Sequence, residues 1–268
     1  MDVEIIESRV SDNYFYGLHA DGEAALIDPV DGSGAVDWVR EQGAELRYLI
    51  NTHFHQDHTG GNPTVLGSFP GVELVAGETD ADKVEAQLDD RTVDREVGAG
   101  DVLTLGGERL EVLDTPGHTQ GHVSLVHGEH LFSGDTIFVG GAGNCSFGGD
   151  SGVLFRTFRD VLADLDDAVT FYPGHDYAMR DIEFILSIEP DNTAAEAMLQ
   201  EARDFAGDLF VTTLGQEREY NPFFRYDDEE LRDRLATNHD SVYETCRERS
   251  DSDEEAVFRT VRALRNEW

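Results

Sequence analysis

Short apolar runs separated by turns rich in glycine and aspartate dominate the first ~170 residues. Runs of this length bounded by such turns predict strands, with cores at 3–5, 14–18, 24–27, 48–50, 72–75, 110–113, 123–126 and 130–132. Helical spacing appears between them at 34–42, where Ala35, Trp38 and Val39 share a face, and at 153–165, where Val153, Phe155, Phe158, Val161, Leu162 and Leu165 recur. Past His175 the pattern changes. Apolar positions then repeat at helical spacing through 182–188, 194–205, 229–235 and 256–264, and the charge-rich stretch 248–255 is expected to be an exposed loop. The expectation is an α/β domain over 1–175 and an α-helical domain over 176–268, with no internal repeat.

With 268 residues, 39% of them hydrophobic, the chain is large enough for a buried core and an appendage. Charge changes the picture more. Fifty-six acidic residues face 20 basic ones, giving a formal charge of −36 spread along the whole chain. Such a surface repels polyanions, so nucleic-acid and anionic-membrane partners are not expected. Because molar salt shortens the screening length to about 3 Å, the charge leads to the expectation of a halophilic protein from a saline cytoplasm. Met1-Asp2-Val3-Glu4 lacks the basic start of a secretory signal, and no apolar stretch approaches membrane-spanning length, so a cytoplasmic location is expected. Cys145 and Cys246 form no Cys-x-x-Cys pair, which argues against a disulfide framework or a cysteine zinc site and makes Cys145 a packed residue.

The chemistry is concentrated in Thr52-His53-Phe54-His55-Gln56-Asp57-His58, directly after the apolar 48–50. In extended backbone, residues two apart point the same way, so His53 and His55 can converge on one ion. Asp57 and His58, at the turn into a helix, can address a second. Three further candidates each follow a short apolar run: His118 in Thr115-Pro116-Gly117-His118, Asp135 in Ser133-Gly134-Asp135, and His175 in Pro173-Gly174-His175. With Asp135 bridging, each of two ions receives four protein contacts. One set is His53, His55, His118 and Asp135; the other is Asp57, His58, His175 and Asp135. His122 exceeds this count and is expected to hydrogen-bond within the site rather than ligate.

These motifs, in this order, resemble the metallo-β-lactamase superfamily. Within it the chain is most similar to glyoxalase II, the hydroxyacylglutathione hydrolases, through Asp57-His58-Thr59-Gly60-Gly61-Asn62, Thr115 to His122, Phe132 to Phe138, Ile188 to Asn192 and Tyr220 to Arg225. The resemblance implies a four-layer αββα sandwich with a C-terminal α-helical domain. It also implies two divalent metal ions, zinc first with iron or manganese compatible, a water or hydroxide between them, and Asp57 orienting that hydroxide while ligating. The implied reaction is hydrolysis of S-D-lactoyl-glutathione or a related 2-hydroxyacyl thioester to D-lactate and free thiol. A thiolate of pKa about 8.5 leaves without a strong general acid, which suits a site offering none beyond its metals. On the substrate side the resemblance points to Tyr177 and to the Arg262-x-x-Arg265 pair. Asn144 stands where the family usually has a basic residue, so a thiol carrier smaller than glutathione also fits. Two other readings stay open: an iron-dependent persulfide dioxygenase, which resembles Phe147-Gly148-Gly149-Asp150 and 172–177, and a non-catalytic metal-binding scaffold.

Overall fold

A computed structural model describes residues 1–268. They divide into two compact units. The first contains 1–115, 119–134 and 172–176. Its larger sheet orders β1 (Asp2–Glu7), β2 (Tyr14–Ala20), β3 (Glu23–Ile27), β4 (Glu45–Asn51), β5 (Glu73–Gly77) and β6 (Arg95–Val97) side by side. The β1–β3 pairs are antiparallel and the β3–β6 pairs parallel. Parallel strands are covered on both faces, which is why β4 alternates only at its start and is then buried continuously from Tyr48 to Asn51. A second sheet takes β7 (Val102–Leu105), β8 (Glu108–Asp114), β9 (Val123–His127) and β10 (His130–Gly134), with β13 (Thr170–Pro173) beside β10.

Helix α1 (Gly32–Gln42) covers the larger sheet. Asp31 caps its start by accepting from Gly34 N–H at 2.9 Å, and Gly43 ends it in the left-handed conformation. Its Trp38 packs in a cluster with Phe15, Leu26, Leu49 and Leu74, where each buried large side chain contributes about 1.5–3 kcal/mol. The indole lies so close to β2 that a Cβ at Gly17 would come within 2.4 Å of it. Short helices α2 (Gln56–Thr59), α3 (Asn62–Ser68) and α4 (Ala81–Glu85) complete this unit.

The second unit contains 116–118, 135–171 and 177–268. It holds the two-residue strands β11 (Ile137–Phe138) and β12 (Gly141–Ala142), then α5 (Ser151–Asp160), α6 (Ala178–Ile188), α7 (Thr193–Asp204), α8 (Leu214–Tyr220), α9 (Glu229–Asn238), α10 (Asp240–Arg247) and α11 (Asp253–Glu267). An aromatic seam joins α5 to the tail: Phe258 has ring centroids 5.7 Å from Phe155, 5.2 Å from Phe158 and 5.0 Å from Phe223.

Two sequence expectations are corrected in this unit. The helix expected over 153–165 ends at Asp160, and Leu162–Asp164 form a 3-10 turn. The stretch 248–255 is not wholly an exposed loop. Glu255 lies in the first turn of α11, buried, where it accepts from Arg259 Nε at 2.8 Å and Asp251 N–H at 3.0 Å.

Candidate active site

The chain leaves β4 through Thr52, whose backbone N–H and hydroxyl both donate to Asp28, at 2.8 and 2.5 Å. Asp28 sits just past β3, at φ 54°, a left-handed backbone that aspartate tolerates better than most residues. The same carboxylate lies 3.0 Å from His58 Nδ1. A carboxylate only accepts, so His58 Nδ1 carries the proton and Nε2 keeps its lone pair. A similar argument fixes His53: the Thr52 hydroxyl proton goes to Asp28, so Thr52 Oγ1 accepts from His53 Nδ1 at 3.0 Å and Nε2 is again the metal-competent nitrogen.

Three predicted ligands then converge. Ligand atoms of Asp57, His58 and His175 all lie within 4.8 Å of one another. Asp57 Oδ2 is 3.4 Å from His175 Nε2 and 3.8 Å from His58 Nε2, and Asn13 Nδ2 reaches both Asp57, at 3.4 Å, and His175, at 3.3 Å. The donor set, two imidazoles and a carboxylate at this spacing, fits a divalent cation such as zinc, iron or manganese. The His53 and His55 rings are 4.7 Å apart and nearly perpendicular. His122 stacks on His53 at 5.0 Å, and its Nδ1 lies 3.0 Å from Thr115 Oγ1, the hydrogen-bonding role expected of it.

His118 and Asp135 belong to the second unit. His118 Nε2 is 3.5 Å from Asp135 Oδ2, and its Nδ1 donates to the Asn144 carbonyl at 2.6 Å, which again leaves Nε2 as the lone-pair nitrogen. The backbone passes so near this pair that a Cβ at Gly143 would meet the Asp135 carbonyl at 2.1 Å.

Within the same unit, Tyr177, Asn144, Arg262 and Arg265 line one cavity of about 190 Å³, so the four predicted substrate contacts share a wall. Their chemistry differs from a simple anion clamp. Arg262 is buried and donates through Nη1 to the Ala142 carbonyl and, at 3.4 Å, to that of Gly143. Burial lowers it to about 10, so it stays charged at neutral pH. Arg265 Nε donates to Asp181 Oδ1 at 2.6 Å, with both side chains buried. The Asn144 side chain is turned back onto Ser146 N–H at 2.7 Å. Cys145 donates to the Gly143 carbonyl at 3.6 Å and burial pushes it up to about 12, a packed thiol rather than a nucleophile.

Sequence reasoning missed Asp28, Asn13 and Asp181. What ties Asp28 to the site is visible only in the fold. The residue directly follows β3, and the parallel pairing of Ile27 with Ile50 brings the two strand ends together.

Comparison with known proteins places these features in a family. The metallo-beta-lactamase superfamily model matches residues 9–175, and the model of the hydroxyacylglutathione hydrolase C-terminus matches 176–268. The chain is 40% identical to a hydroxyacylglutathione hydrolase of Polaromonas sp. over 96% of its own length and 94% of the relative's. It is 38% identical to one of Nitrosococcus oceani at the same coverage, and 34% identical to the cytoplasmic hydroxyacylglutathione hydrolase of Arabidopsis thaliana over 89% and 93%. Among solved structures, ETHE1 from Myxococcus xanthus aligns at TM-score 0.62 with 25% identity, covering 83% of this chain and 84% of that one. BLEG-1 B3 metallo-beta-lactamase aligns at 0.64 with 22% identity over 83% and 99%, a likeness of fold alone. No helix is long and apolar enough to cross a membrane, and nothing in these matches supports the halophilic origin expected from the charge. The fold is the metallo-β-lactamase α/β sandwich with a C-terminal helical domain, and the chain belongs to the hydroxyacylglutathione hydrolase (glyoxalase II) family of thiolester hydrolases.

Proposed function

We propose that the chain hydrolyses S-D-lactoyl-glutathione, or a 2-hydroxyacyl thioester of a related acidic thiol, to D-lactate and free thiol. The observation carrying this reading is the union, in one chain, of the Asp57–His58–His175 cluster with a tail matched from 176 to 268 by the hydroxyacylglutathione hydrolase C-terminus. In this reading His53, His55, His118 and Asp135 would hold one divalent ion and Asp57, His58, His175 and Asp135 the other, zinc being the first candidate. Bound there, such ions would lower the pKa of a water towards neutrality and polarise the thioester carbonyl. The chain's own residues set the geometry. Asp28 and Thr52 fix the tautomers of His58 and His53, and the Asn144 carbonyl fixes that of His118. Asn13 braces Asp57, which would orient the attacking water. Tyr177, Asn144, Arg262 and Arg265 face the carrier. Residues 1–175 carry the chemistry, 176–268 supply substrate contacts, and a cytoplasmic enzyme acting on a small molecule fits a charge of −36 better than one acting on nucleic acid.

The test is D-lactate and thiol release from lactoyl thioesters under anaerobic conditions, with metal content measured on the same sample. Two divalent ions per chain and oxygen-independent turnover, lost on chelation and restored by metal, are expected. Oxygen uptake on a persulfide with a single iron, or an inert metal-free chain, would overturn the reading.

A further inference from the structure

The cavity beside Tyr177 holds a cation that neither the resemblance nor the ligand motifs point to. Arg180 lies one helical turn after Tyr177 on α6, so the two side chains share a face. Three guanidiniums, those of Arg180, Arg262 and Arg265, line this cavity against one carboxylate, Asp181. That is a local excess of positive charge in a chain of −36. Two of the three already bond to groups of the protein. Arg262 is buried against the Ala142 and Gly143 carbonyls, and Arg265 is bound to Asp181. Asp181 is itself held in place, since a Cβ at Gly141 would lie 2.1 Å from its Oδ2, and it is too buried to turn outward to Arg180. Asn144 adds no charge. Arg180 is exposed and makes no ion pair, so of the three it offers an incoming ligand the guanidinium that is both accessible and unpaired.

We infer that Arg180 is a specificity-determining residue: it pairs with a carboxylate of the thiol carrier and selects acidic carriers over neutral ones. The inference rests on the thioesterase reading above and adds to it the residue that reads the carrier's charge. A guanidinium can meet a carboxylate through two parallel hydrogen bonds, whereas a lysine ammonium meets it as a point charge.

The test compares wild type, Arg180→Gln and Arg180→Lys on two lactoyl thioesters, one of glutathione and one of the neutral thiol N-acetylcysteamine. Arg180→Gln is expected to raise KM for the glutathione thioester roughly 5- to 10-fold, with kcat within about 2-fold, as suits one partly exposed charge pair. Arg180→Lys should recover part of that loss, and molar KCl should shrink it. Kinetics on the neutral thioester should not change. Arg109→Gln, which removes an exposed guanidinium of the other unit paired with Glu111, should leave both substrates unaffected. An unchanged KM for the glutathione thioester in Arg180→Gln, or an equal rise for both thioesters, would overturn the assignment while the hydrolase reading stands. A wild-type chain that cleaves neither thioester removes the hydrolase reading and the selector together.

Discussion

Replacing Arg265 by methionine keeps most of the side-chain volume and removes the only charge bonded to Asp181. The separation is 2.6 Å and the two side chains are 8% and 4% exposed. At an effective dielectric constant of 20, charges about 4 Å apart attract by roughly 4 kcal/mol, and removing one partner of a buried pair costs about 3–5 kcal/mol because the other is stranded. Arg265 also lies over the rings of Phe184, at 5.9 Å, and Trp268, at 5.8 Å; methionine preserves much of that packing, so the loss reports mainly on charge. Asp181 is already raised above 3.8, since burial outweighs the pull of Arg265, and removing the arginine raises it further. A carboxylate whose folded value exceeds its unfolded one stabilises fully below the unfolded value, and that contribution fades as pH rises through the folded value. The deficit of Arg265→Met should therefore be smaller at pH 5 than at pH 8. Urea unfolding followed by circular dichroism at both pH values measures it, and Asp181→Asn/Arg265→Met should lose clearly less than the sum of the single changes. A deficit below about 1 kcal/mol, or one that ignores pH, would refute the buried-pair argument.

Three further outcomes are expected. Asp28→Asn, which suits the left-handed backbone at that position, should weaken metal binding about 10- to 100-fold in competition with a chromophoric chelator; unchanged affinity would show that His58 needs no orienting partner. Glu217 is pushed up to about 7 by burial, despite accepting from Tyr220 at 2.6 Å, Thr212 and Asn221 at 2.7 Å and Gly140 N–H at 3.0 Å. Its stabilisation is complete below 4.5 and is lost as pH rises through 7, so Glu217→Gln should flatten the fall in urea midpoint from pH 5 to 8; an identical slope in the variant counts against it. Finally, the urea midpoint should climb between 0.1 and 2 M KCl if self-repulsion at −36 limits stability, and a flat series would remove that idea.

Much of the candidate site was legible because its residues are contiguous. Four ligand-type side chains within His53–His58 need no tertiary knowledge to be seen, and each later candidate follows a strand whose apolar run marks it. Asp28 also follows an apolar strand, but its partnership with His58 was not legible. Asp28 lies 30 positions before His58, and only the parallel register of β3 with β4 makes the two neighbours. The same holds for Asp181, 84 positions from Arg265 and joined to it only by their tertiary ion pair. Strands β11 and β12 are two residues each, too short to show a period. The stretch 248–255 is a largely exposed loop as expected up to Ser252, and departs from that only where α11 begins, because the Glu255 carboxylate is covered by its own i+4 arginine, Arg259.

The aromatic seam between α5 and α11 bears on how this protein can be shortened. Phe155 and Phe158 precede residue 175, yet the rings they rest on, Phe223 and Phe258, come from the tail. Cutting the gene at the boundary between the two matched family models would not release a smaller enzyme trimmed of an accessory. It would strip the cover from a helix in the amino-terminal part and leave two bare phenylalanines as a sticky surface, so deletion or domain-grafting with this chain has to move α5 and the tail as one piece.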